Sequence, residues 1–160
     1  MHYCSKSGNT NTLQEIISFL QPIDAQVACN KPTKNGWTPL FFACSRGHSD
    51  VIRMLLNQNA RVDVFDDRGQ ASLHIAAELG HEEVVEILLE SNAFVNVRNK
   101  HGMTPLHLAA RKGYNKMIRQ LVTEHGALLD AFTLVRLRIS HYMTIFHVDI
   151  FTRQNKLPCI

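Results

Sequence analysis

Two histidines stand 33 residues apart, His74 and His107, each inside a Leu-His-x-Ala-Ala stretch. Imidazole is the side chain whose charge changes most easily near neutral pH, so the pair invites a general base or a metal ligand. Cys44 and His48, four apart, have the residue types of a nucleophile and its base. Gly47 lies between them and interrupts helical geometry, and no third orienting group accompanies them. His141 and His147 lack the spacing of a zinc motif. Glycines are spread one or two per segment rather than gathered into a phosphate-cradling loop. No catalytic, cofactor-binding or metal-binding residue is therefore assigned. The alternative for His74 and His107 is structural: a ring packed between elements and bonded to nearby backbone or to the preceding threonine, because buried polar groups need partners.

The elements around these residues favour that alternative. "NGWTPLFFACSRGHSDVIRMLL", "RGQASLHIAAELGHEEVVEILL" and "HGMTPLHLAARKGYNKMIRQLV" superimpose without a gap at a period of 33. Gly36, Gly69 and Gly102 coincide, as do Leu40, Leu73 and Leu106, then Gly47, Gly80 and Gly113. A fixed period in this range signals a solenoid. Each unit reads as two short helices. The first opens at Thr38-Pro39 or Thr104-Pro105, an N-cap followed by a proline whose φ is already helical. Leu106, Ala109 and Ala110 give it one apolar face, and Gly113 suits a left-handed end. The second helix, such as Glu82 to Glu90, is strongly apolar, and an Asn- and Gly-containing segment projects after it. Ala71-Ser72 replaces Thr-Pro in the middle unit, which predicts a less firmly capped first turn. Phe41 stands where the other units have histidine.

Bulk properties narrow the function classes. Apolar residues make up 45% and charged residues 19% of the 160, a globular balance. Charges cancel over residues 1–135, and the net +3 rests on Arg136, Arg138, Arg153 and Lys156 against Asp149. A balanced body argues against nucleic acid as a partner. No apolar run is long enough to insert in a bilayer, and four scattered cysteines suit a reduced cytoplasmic location.

The Gly-x-Thr-Pro-Leu-His-x-Ala-Ala run from Gly102 to Ala110, with Gly80-His81 at the second turn, resembles the ankyrin-repeat family. The resemblance implies an all-α ankyrin-repeat solenoid with projecting turns and an irregular C-terminal tail. Its expected divisions are a partial first repeat and connection at 1–32, repeats at 33–65, 66–98 and 99–131, and a poorly ordered non-repeat tail at 132–160. Lys34 to His48, Asn59 to Asp66 and His125 to Leu134 further resemble the cytoplasmic ankyrin array of the NOMPC, or TRPN, class of insect mechanotransduction channel. That implies a protein-binding, non-enzymatic tether, with cytoskeletal proteins or neighbouring repeats as partners. A free-standing cytosolic adaptor, and the regulatory part of an enzyme whose catalytic domain lies elsewhere, are the alternatives. After Leu134 the register is lost, and Val135, Leu137 and Ile139 alternate with polar residues as a weak strand pattern. The first unit lacks its opening and the last is followed by no cap, so the chain is expected to be a segment of a longer array.

Ankyrin repeats bind through turn tips and the exposed side of the inner helices, as the resemblance implies. Carried onto this sequence, the tips hold Lys34, Asn35 and Trp37, then Asp67, Arg68 and Gln70, then Lys100, His101 and Met103. The inner side adds Ser45 and Arg46, Glu78 and Leu79, Arg111 and Lys112. These positions vary between copies while the core positions do not. Trp37, the only tryptophan, is a partner contact, a cover for the neighbouring turn or a contact with an adjacent repeat.

Overall fold

The computed structural model describes residues 1–129; the expectations for the 132–160 tail lie outside them. Helices pair in chain order: α1 (His2–Ser7) with α2 (Thr10–Phe19), α4 (Pro39–Arg46) with α5 (Ser49–Asn57), α6 (Ser72–Leu79) with α7 (Glu82–Glu90), and α8 (Pro105–Lys112) with α9 (Asn115–Thr123). Among the described residues there is no strand. The first helices of successive pairs pack on one another as an inner layer, α1 on α4, α4 on α6 and α6 on α8. The second helices form an outer layer, and α5 packs on α7.

The period places the core. Leu40, Leu73 and Leu106 are buried to 1% exposure or less, as are Leu55, Leu88 and Leu121 of the outer layer. Burying each such side chain contributes about 1.5–3 kcal/mol. Ala43, Ala76 and Ala109 are fully buried and small, so inner helices approach closely. Each inner helix stops at a glycine in the left-handed region, with φ from 73° to 79° at Gly8, Gly47, Gly80 and Gly113. A second requirement appears at Gly8, Gly47 and Gly80. The ring of the residue that opens the next pair's outer helix lies over the glycine, so a Cβ on Gly47 would sit 2.8 Å from the His81 ring and one on Gly80 2.8 Å from Tyr114. The Gly-His pair of the sequence pattern thus has its partners in different repeats.

The stretch Gln21–Pro32 differs from the expected plain connection. It carries a nine-residue helix, α3 (Pro22–Asn30). Pro22 sits at the helix start, Asp24 lies in the first turn, and Ala25 and Cys29, one turn apart, are buried. Its amphipathic signal is weak because Ile23 and Val27, also one turn apart, are exposed at 76% and 63%. Asn30 at its end ties it to the next unit, donating to Asn59 O at 3.0 Å and accepting from Arg61 N at 2.8 Å.

Candidate protein-binding surface

The chemistry suggested by His74 and His107 is absorbed by helix capping. Thr104 N donates to His107 Nδ1 at 3.1 Å, and the Thr104 hydroxyl lies 2.6 Å from the same nitrogen. Both residues are buried. In the middle repeat Ala71 N donates to His74 Nδ1 at 3.0 Å, and His74 Nε2 lies 2.9 Å from Met103 O of the next tip. His74 therefore caps its own helix and holds the following repeat. Burial holds its pKa below the ordinary histidine value, partly offset by the Met103 carbonyl. Ala71 makes no side-chain cap bond, as the loss of threonine predicts.

One expectation is corrected. Thr38 makes no side-chain cap bond, and its buried hydroxyl has no partner. Phe41 offers no side-chain nitrogen to the Thr38 hydroxyl, and its backbone N–H makes no bond to it either, so Thr38 keeps the extended backbone of a cap without the bond.

Cys44 and His48 are not brought together as nucleophile and base. Cys44 is fully buried, and desolvation pushes its pKa far up, which keeps the thiol protonated. The His48 ring is turned onto Gly8, with Nε2 3.3 Å from Lys6 O. Among the described residues no group of three His, Cys, Asp or Glu side chains could hold a metal ion.

The tips, by contrast, form an ordered ladder. Asp66 accepts from Arg68 N at 2.9 Å and from Gln70 N at 2.8 Å. Asn99 repeats this 33 residues on, accepting from His101 N at 2.9 Å and Met103 N at 3.0 Å. Thr33 does the same more weakly, with one bond from Trp37 N at 3.1 Å. Successive tips are joined by Asp67 N to Asn35 O at 3.3 Å and Lys100 N to Arg68 O at 3.2 Å. Lys100 Nζ donates to Asp67 O at 2.6 Å.

Two hollows gather most of the expected binding residues. One, of about 430 Å³, is lined by Arg68, Gln70, His101 and Met103 of the tips and by Glu78, Leu108 and Arg111 of the inner helices. Arg111 Nη2 and Glu78 Oε1 are 2.5 Å apart and tie α8 to α6. Gln70 is buried at 9%, so it contributes little of the hollow's surface. The other hollow, of about 370 Å³, holds Asn35, Trp37, Asp67 and Arg68, with Asp66 beneath. Trp37 is half-buried, 5.1 Å from the Phe42 ring, and donates Nε1–H to Asp66 at 3.2 Å. Lys34, Arg46, Leu79, Lys100 and Lys112 are exposed and Ser45 is half-buried; none of them lines either hollow.

Residues that reasoning from sequence missed are those that hold the surface rather than form it. Asp66 and Asn99 fix both tips, and their signal was available: short side-chain acceptors 33 apart, two and four residues before backbone donors of the turn. A third hollow, on the outer helices, is lined by Glu82, Glu83, Glu86 and Glu124 with Lys116 and Arg119; Lys116 bonds Glu82 at 2.6 Å.

Comparison with known proteins agrees with this architecture. A family model described as ankyrin repeats (3 copies) matches residues 1–99, and a single ankyrin-repeat model matches residues 101–133. The chain is 57% identical over 35 residues, 22% of its length, to the phosphate system positive regulatory protein PHO81 of Saccharomyces cerevisiae. It is 40% identical over 58 residues, 36% of its length, to osteoclast-stimulating factor 1 of Monopterus albus. It is 31% identical over 74 residues, 46% of its length, to a Caenorhabditis elegans homolog of transient receptor potential cation channel subfamily A member 1. The chain spans only 3%, 24% and 6% of these three proteins respectively.

Proposed function

Because the chain belongs to the ankyrin-repeat family, whose repeats are protein-interaction modules, we propose that its tips and inner helices bind a protein partner on the cytoplasmic side of a mechanosensory cation channel. The observation that supports binding at this face is the hollow between the second and third repeats. Its tips are fixed by Asp66 and Asn99, so side chains such as Met103 are presented on a pre-ordered frame, and an ordered frame loses little entropy on association. The partners proposed are cytoskeletal proteins or neighbouring ankyrin repeats.

The channel setting draws support from the transient receptor potential relative and from the stack's construction. Repeats contact their neighbours through the glycine–ring packing and the tip ladder, so load passes along the chain of repeats. Among the described residues no helix is long and apolar enough to cross a membrane, so this segment is proposed as tether rather than pore. A free-standing adaptor is the second reading, favoured by the diversity of the relatives.

Two measurements test these readings. Partners recovered on the full chain are expected to be retained by His107→Phe and lost on Met103→Glu; equal retention by both variants overturns binding at the tips. A transcript that continues into a run of membrane-spanning helices supports the channel setting, and one that ends without them overturns it.

A further inference from the structure

We infer that the hollow between the second and third tips takes an acidic stretch of the partner protein, with a carboxylate against Arg68 and Arg111 and an apolar side chain on Met103. This rests on the protein-binding reading above and names the chemistry of its partner.

Charge decides the class of ligand. The hollow carries the guanidinium groups of Arg68 and Arg111 against one carboxylate, Glu78. Glu78 is already engaged by Arg111, and among the described residues that guanidinium uses its Nη2 nitrogen alone. Arg111 has further N–H donors and is 41% exposed along its side chain, so it can accept a second carboxylate while held in place by the first. Arg68 is the stronger anchor. Its guanidinium has no hydrogen-bond or ion-pair partner among the described residues, while its backbone is fixed on both sides. Its N–H donates to Asp66 and its carbonyl accepts from Lys100 N. A guanidinium on a rigid tip is pre-organised for bidentate carboxylate binding.

The nearby carboxylates do not cancel this charge. Asp66 is buried and its two oxygens are occupied by Arg68 N, Gln70 N and Trp37 Nε1. Lys100 donates to the backbone carbonyl of Asp67, and the Asp67 carboxylate is not among the groups lining this hollow. The outer-helix hollow is the opposite case, its carboxylates facing Lys116 and Arg119. Phe19, Ile23 and Val27, exposed at 89%, 76% and 63%, carry no charge by which to choose a partner.

The test is selection of a displayed random-peptide library on the full chain, followed by titration of synthetic copies of the enriched peptides. Acidic sequences with an apolar residue are expected to be enriched. Their affinity should fall at least about tenfold in Arg68→Glu, partially in Arg68→Lys, and progressively with added salt. Among the described residues the Arg68 side chain makes no bond, so Arg68→Glu should keep the helical circular dichroism of the parent. Enriched peptides that are not acidic, yet are lost on Met103→Glu, overturn the acidic partner and leave the binding surface standing. Peptides indifferent to both substitutions, or no enrichment, overturn both. Sedimentation of the chain with vesicles of equal phosphatidylcholine and phosphatidylserine, abolished by Arg68→Glu and without acidic peptides enriched, overturns the inference in favour of an anionic membrane surface.

Discussion

The inner helices α4 and α8 open with the same three residues, Thr-Pro-Leu, and diverge at the fourth. In α8, His107 closes the turn: its Nδ1 takes the Thr104 N–H and lies against the Thr104 hydroxyl. In α4, Phe41 fills the same place at 0% exposure and the Thr38 hydroxyl is stranded. The backbone is nearly unchanged, with Thr38 at φ −86°, ψ 169° and Thr104 at φ −92°, ψ 166°. One position therefore has two solutions, apolar volume or a cap bond. The middle helix α6 is a third, with the histidine kept and the threonine gone. The imidazole at this position is a structural part whose contribution depends on the residue three places before it.

The largest effect that would sharpen this contrast is at Phe41. If volume is what Phe41 supplies, Phe41→Ala leaves a cavity in a fully buried site and costs about 3–5 kcal/mol. Urea unfolding followed by circular dichroism measures it. A loss below that of a surface substitution would mean the α4–α5 repeat does not depend on the ring.

Next is the converse exchange in the third repeat. His107→Phe keeps the apolar body of the ring and removes Nδ1, which strands the Thr104 N–H and leaves the hydroxyl only the 3.4 Å bond from the backbone N–H of residue 107. The expected cost is about 1–3 kcal/mol by the same unfolding measurement. Adding Thr104→Val should cost less than it does in the parent, because the hydroxyl has already lost its imidazole partner and keeps only the long backbone bond. Full additivity of the two substitutions would show that threonine and histidine do not act as a unit.

The middle repeat gives a pH-dependent version. Burial lowers the pKa of His74 below its ordinary 6.5. The folded state then binds the proton less readily than the unfolded chain. The stability from neutral His74 is thus complete above about 6.5 and is lost as pH falls toward the depressed folded value. Wild type should lose stability on that side by up to about 1.4 kcal/mol per pH unit, the limit for one proton. His74→Phe should flatten the slope; an unchanged slope would assign it to other groups.

Much of this was legible in the sequence. The 33-residue period located the helix pairs, their glycine stops and the buried leucines, because each is imposed by contacts a repeat makes with its own neighbours. The histidines were readable as structural because Phe41 occupies their place. Three things were not legible. The helix Pro22–Asn30 buries Ala25 and Cys29 on one side and exposes Ile23 and Val27 on another, so it presents no clean stripe. The packing of His81 and Tyr114 on the preceding glycines depends on how repeats are offset, which spacing within one repeat does not encode. On the binding side, the variable tip letters were visible, but not that Gln70 turns inward or that Trp37 spends its N–H on Asp66. The Trp37 bond is a consequence of the next repeat's position.

The smallest effect is the most discriminating, at Thr38. Its hydroxyl is buried and bonds nothing, so the cost of desolvating it is already borne by the folded state. Valine has nearly the same shape, and a β-branched residue is comfortable in the extended backbone found there. Thr38→Val should leave stability unchanged or raise it by up to about 1 kcal/mol. The same change at Thr104 removes a cap and should cost about 1 kcal/mol. The sign of the difference between these two identical substitutions carries the comparison. Equal losses would mean that the Thr38 hydroxyl is bonded after all, and that phenylalanine and histidine at the fourth position do not divide the repeats into capped and filled forms.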